Sequence, residues 1–116
     1  MEKKVKISML CEIYGKLLTD KQLEILDDYY NKDLSLTEIA ENNKITRQAV
    51  LDNIKKGENK LFEFEEKLLI MEKTIKQEKL LQEVLTELSK IEDTSSDKKI
   101  EKILNHVRKE LISLNA

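Results

Sequence analysis

The chain has 116 residues, of which 40% are hydrophobic and 38% charged, with a net charge of −2, no proline, two glycines and no tryptophan. A chain of this length can bury a core without a disulfide or metal staple. So few turn-forming residues exclude a β sandwich or barrel, and the abundance of Leu, Ile, Glu and Lys specifies an all-α class.

No apolar run approaches the ~18 residues of a membrane span, and Lys and Glu interrupt the N-terminal segment, so neither a membrane span nor a signal peptide is expected. The single cysteine, Cys11, has no internal disulfide partner, which agrees with a reducing, cytoplasmic location. The net charge supplies no global attraction for nucleic acid, so any such binding needs a local patch.

In chain order, residues 3–18 place Ile7, Leu10, Cys11, Tyr14 and Leu18 on one helical face, with Cys11 as a small core residue. Thr19 and Gln22 form a capping box that opens a second helix, whose inner face is read as Leu23, Leu26, Tyr29 and Tyr30, ending near Asn31. Ser35 and Glu38 form another box, opening a short helix with Ile39 and Ala40 inside, and the polar stretch Glu41-Asn42-Asn43-Lys44 breaks it. Thr46 then caps a helix with Val50 and Ile54 inside.

Val50, Ile54, Gly57, Leu61, Phe64, Leu68, Met71 and Ile75 follow in alternating steps of 4 and 3, a 3.5-residue seam that predicts one long helix over residues 47 to about 71. Gly57 lies on that seam where another chain segment can approach closely. Leu81, Val84, Leu85, Leu88 and Ile91 make a stripe of different phase, which places a kink or short break between residues 72 and 78. Residues 92–97 read as a loop, and a last helix over 97 to about 114 carries Ile100, Ile103, Leu104, Val107, Leu111 and Leu114. No internal repeat is evident.

Closely spaced helices with a short polar turn before Thr46 describe a helix-turn-helix. Ala40 is small where the two helices of the motif cross, and Ile39, Ile45 and Val50 fill the wedge. The stretch from LTDKQLEILDDYY to TRQAVLDNIKKGENKL, residues 18–61, resembles region 4 of bacterial sigma factors. SLTEIAE, TRQAVLDNIK and FEFEEKLLIMEK extend the likeness over nearly the whole chain to the YlxM family of helix-turn-helix regulators. The resemblance implies a small cytoplasmic protein that binds double-stranded DNA. Because genes of that family neighbour those of the signal recognition particle, it also implies a link to that pathway. In such motifs the turn usually has leucine followed by glycine, where this chain has Asn43 and Lys44, so a left-handed Lys44 would be strained.

Residues 44–60 hold five basic groups (Lys44, Arg47, Lys55, Lys56, Lys60) against Asp52 and Glu58, a balance of +3, whereas residues 61–116 hold ten basic and twelve acidic groups. The basic excess therefore sits on the candidate recognition helix, diluted by Asp52, Asn53, Glu58 and Asn59. Arg47 has the planar fork to reach guanine O6 and N7, and Gln48 the amide to pair with adenine. Gln48 has an alternative role at the helix cap. Ser35, Thr37, Thr46, Asn53, Lys55 and Lys56 are candidate phosphate-backbone contacts, with capping as the alternative role of Ser35, Thr37 and Thr46.

The chain offers one histidine, His106, no glycine-rich phosphate loop and no metal-ligand spacing, so no enzymatic activity, cofactor or metal is expected. Residues 1–71 are expected to form the DNA-binding part and 72–116 a helical extension packed on it as one structural domain, able to supply a homodimer contact. The reading is a DNA-binding transcriptional regulator. The alternative is a protein-interaction adaptor acting on a signal recognition particle component.

Overall fold

Capping chemistry starts the central helices where the sequence places it. The computed structural model describes residues 1–94 and 97–114. They form α1 (Lys3–Tyr14), a 3-10 turn (Gly15–Leu17), α2 (Asp20–Tyr30), α3 (Leu36–Asn43), α4 (Arg47–Leu68), α5 (Ile70–Thr94) and α6 (Lys98–Leu114). The all-α expectation holds: no strand occurs among the described residues. None of the helices described is long and apolar enough to cross a membrane. Both capping boxes are complete: the Gln22 and Glu38 amides donate to Thr19 Oγ1 and Ser35 Oγ at 3.1 Å, and the side chains of Gln22 and Glu38 accept from the cap amides in return.

The chain divides into two units, Met1–Glu72 and Lys73–Ala116. In the first, α4 is the central post against which α1, α2 and α3 all pack. Ile7, Leu10, Tyr14, Ile25, Leu26, Ile39, Val50 and Leu61 are its fully buried side chains. The inner face of α2 differs from the expected one. Ile25 and Leu26 are buried, Leu23 and Tyr30 are half-buried, and Tyr29 is exposed. Gly57 is the close approach that the sequence suggests, since a Cβ there would lie 2.8 Å from Leu26 Cδ1. Cys11 is half-buried, and desolvation followed by the Asp27 charge pushes its thiol up to about 11, so it stays protonated and unreactive at neutral pH.

A buried carboxylate ties three helices of this unit. Glu58 of α4 accepts from the Tyr30 hydroxyl of α2 and pairs with Lys3 Nζ of α1 at 3.3 Å. Burial, then the hydrogen bond and charge of Glu58, raise the Tyr30 phenol well above its ordinary range.

The long seam breaks earlier than its spacing predicts. The kink or short break expected at 72–78 does not interrupt the helix there, since α5 runs through that segment. The break lies at Leu69, which adopts the left-handed region (φ 55°, ψ 28°) at the end of α4. A non-glycine residue there costs on the order of 1–2 kcal/mol. Of the seam residues in the first unit, Val50, Ile54, Gly57, Leu61 and Met71 are buried, Phe64 is half-buried and Leu68 is exposed.

In the second unit α5 and α6 bring Arg108 Nη2 to Ser89 Oγ at 3.1 Å. Leu104 is buried, and Leu81, Val84, Leu85, Leu88 and Leu111 are half-buried. Leu80, Ile91, Ile100, Ile103, Val107 and Ile112 remain exposed. Of the expected loop, residues 92–94 belong to α5, and Ser95 and Ser96 lie outside the described residues, as does the side chain of Leu114.

Candidate nucleic-acid interface

The α3–α4 junction is fixed by its own backbone. Lys44 is left-handed (φ 55°, ψ 42°). Its amide donates to the Glu41 carbonyl at 3.3 Å, and the Ile45 amide to the Ala40 carbonyl at 3.1 Å, the paired bonds of a Schellman turn. Asn43 Nδ2 donates to the Ile39 carbonyl at 2.8 Å and its Oδ1 accepts from Lys21 Nζ of α2 at 2.8 Å, so the end of α3 is tied on two sides. The turn is therefore residues 44–46. The stretch Glu41-Asn42-Asn43, expected to break the helix, is its last turn instead, because the capping bonds form one residue later. Ala40 is buried as the helix crossing requires. Thr46 Oγ1 accepts from the Ala49 amide at 3.0 Å and starts α4.

Helical spacing sorts α4 into two faces. Val50, Ile54, Gly57, Glu58 and Leu61 are buried on one. Opposite them Gln48, Asp52, Lys55 and Asn59 form an exposed row, with Lys56 exposed beside it. Arg47 is exposed in the first turn, above the buried row rather than on the open one. Ser35, Thr37 and Thr46 are exposed at the starts of α3 and α4. Asn53 is half-buried on the flank, and its Nδ2 donates to the Ala49 carbonyl at 2.9 Å. The fold thus brings Gln48, Lys55 and Lys56 onto one open surface, puts Arg47 and Thr46 at its N-terminal end, and turns Asn53 aside.

Two charges behave differently from their sequence appearance. Glu58, counted as diluting the basic stretch, belongs to the buried face and is committed to Lys3 and Tyr30. That leaves Asp52 as the one acid on the open face of residues 44–60, where its Oδ1 accepts from Gln48 Nε2 at 3.1 Å. Lys60 is half-buried and reaches Gln22 Oε1 at 3.4 Å, so it points toward α2 rather than along the open row. Asn59 extends that row by a turn, and its spacing of seven from Asp52 was the signal for it.

Residues 1–109 match the family described as "Putative helix-turn-helix protein, YlxM / p13 like". A UPF0122 protein of Clostridium perfringens (strain 13) is 42% identical over 97% of this chain and 99% of its own length. The chain belongs to this family. Other UPF0122 proteins match similarly: one from Clostridium botulinum (strain Alaska E43) is 47% identical over 76% of this chain and 81% of its own. Another, from Acetivibrio thermocellus, is 41% identical over 96% of this chain and 95% of its own. The YlxM resemblance read from SLTEIAE and TRQAVLDNIK is thereby borne out. In this UPF0122 chain the matched residues include α3, the turn and α4.

Proposed function

We propose that the chain is a transcriptional regulator that binds double-stranded DNA with α4 in the major groove. The observation that carries this reading is the open row of α4, whose Gln48, Lys55 and Asn59, with Lys56 beside them, face away from the core. Arg47 and Gln48 read base edges. Lys55 and Lys56 anchor phosphates, aided by Thr46 and by Ser35 and Thr37 at the start of α3. With so few cations the affinity is modest and falls steeply with salt.

Selection from random duplexes, followed by fluorescence anisotropy at several salt concentrations, tests this. A selected sequence should beat scrambled DNA by ~10³-fold or more. Arg47→Ala should weaken it by about 1–3 kcal/mol with the fold intact, and Lys56→Ala should reduce the salt slope by about one unit. Absence of enrichment together with salt-insensitive binding would refute the reading.

A second reading is favoured by the exposed apolar side chains of α5 and α6, above all Leu80 and Ile103, 61% and 62% exposed. These helices serve as a protein-binding or homodimer surface in an adaptor that acts on a signal recognition particle component, the partner implied by the family resemblance. Polar substitutions at Ile103 and Val107 would then abolish capture of that component and leave DNA binding unchanged.

A further inference from the structure

Gln48 and Asp52 stand one turn apart on the exposed row of α4 and are bonded to each other, Gln48 Nε2 donating to Asp52 Oδ1 at 3.1 Å. Side chains on a helix lean toward its N-terminus, so the Asp52 carboxylate reaches back over the first turn, where Gln48 projects. Lys55 and Lys56 lie three and four positions beyond Asp52, yet neither pairs with it among the described residues. The carboxylate is committed to the glutamine and not to the cations beside it.

That bond selects what Gln48 can offer to a base. A glutamine amide carries one acceptor oxygen and two N–H donors, and on an exposed side chain it turns freely. Unrestrained, it presents donors or acceptor as the base demands and discriminates poorly. Asp52 takes one N–H and holds the amide plane, which leaves Oε1 and the other N–H as a fixed acceptor–donor pair. In the major groove adenine presents the complement, an N6 amino donor beside the N7 acceptor, whereas guanine presents two acceptors, O6 and N7. Guanine would set one of its acceptors against Oε1, with the Asp52 carboxylate adding to the repulsion. Arg47, which has donors only, has the opposite preference.

We propose that Asp52 is a positioning residue, which fixes the Gln48 amide for adenine and against guanine and so sets base specificity in the first turn of α4. This role rests on the reading of α4 as the major-groove helix and names the base that its first turn selects. It also explains what an acid does among the lysines of an open face. Asp52 repels the phosphates of every sequence equally, but through Gln48 it acts on one base pair, giving up some affinity for selectivity.

The test uses the full chain and the duplex selected for it, with each base pair replaced in turn and affinities read by fluorescence anisotropy. The position at which Gln48→Ala abolishes discrimination is the one that Gln48 reads. There the parent should favour adenine over guanine by at least about fivefold, the low end for a bidentate contact. Asp52→Ala should bring that ratio close to one. Asp52→Asn, whose Oδ1 can still accept the amide proton, should preserve it. Both variants remove the same charge, whose effect on phosphates cancels in the ratio. In a Gln48→Ala background, Asp52→Ala should leave the ratio unchanged. Thermal melts confirm that each variant is folded. A ratio kept in Asp52→Ala, or lost equally in Asp52→Asn, would overturn the positioning role. So would a Gln48-dependent position that is not adenine, or the absence of any such position in a duplex that binds specifically. Failure to enrich any duplex would instead refute DNA reading by α4, and the role of Asp52 with it.

Discussion

Replacing Lys44 by glycine should stabilise the first unit. Lys44 sits at φ 55°, ψ 42°, close to the centre of the left-handed well, and its side chain is exposed. Relief of the Cβ–carbonyl conflict is worth about 1–2 kcal/mol. The more flexible unfolded chain takes back about 0.4–1 kcal/mol. The net gain is therefore about 0.5–1 kcal/mol, which for a unit of this size raises the melting temperature by roughly 2–8 °C. Lys44→Ala is the control, because it removes the same charge and keeps the strained backbone. Thermal melts followed by circular dichroism should rank Gly above both Lys and Ala. A glycine variant melting at or below the parent would refute the argument, and with it the claim that the Schellman turn stores strain. Asp33, also left-handed at φ 54°, should gain less on the same replacement, since aspartate tolerates that region better than lysine.

Gly57→Ala should destabilise the first unit despite the better helix propensity of alanine. Overpacking against Leu26 costs typically 1–3 kcal/mol and propensity returns about 1, a net loss of up to about 2 kcal/mol measurable as a lower urea midpoint. Glu65 makes stability depend on pH. Burial opposes its ionisation, but hydrogen bonds from Tyr14, Met71 and Glu72 and the charge of Lys6 outweigh it and hold the carboxyl below its ordinary value of 4.5. Its contribution is complete above that value and is lost as pH falls through the lower folded one. The urea midpoints of the parent and Glu65→Gln should therefore differ at pH 7 and converge as the pH falls below 4.5. Asp52→Asn should tighten DNA binding roughly two- to five-fold at low salt, the effect of removing one carboxylate ~6 Å from phosphates, and anisotropy titrations at rising salt should show the advantage shrink.

Local chemistry was legible in the sequence and long-range chemistry was not. The Thr19, Ser35 and Thr46 caps involve residues three positions apart, so their patterns announce the helix starts. Lys44 was legible for the same reason, as a residue standing where the motif needs a left-handed turn. The helix break at Leu69 was not, because the groups that accept from the amides after it are Glu65 and Tyr14, the latter 55 positions before Leu69. Glu58 misled for a related reason. A carboxylate among lysines reads as surface charge, and only the approach of Lys3 and Tyr30 makes it part of the interior. On α2, tyrosines at 29 and 30 looked like core, yet the packed face turns through Ile25 and Leu26 and leaves Tyr29 outside. The open row of α4 followed from spacing once the buried row was placed.

The division of labour on α4 has an evolutionary consequence. Its inner side is shared by three neighbouring helices, and even a Cβ added at Gly57 would press on Leu26. Its outer side contributes nothing to that interior. Substitutions at 48, 52, 55 and 59 can therefore accumulate with little penalty to folding, so surface chemistry can diverge between relatives on an unaltered frame. The same separation makes those four positions natural sites for grafting a chosen recognition pattern onto this scaffold.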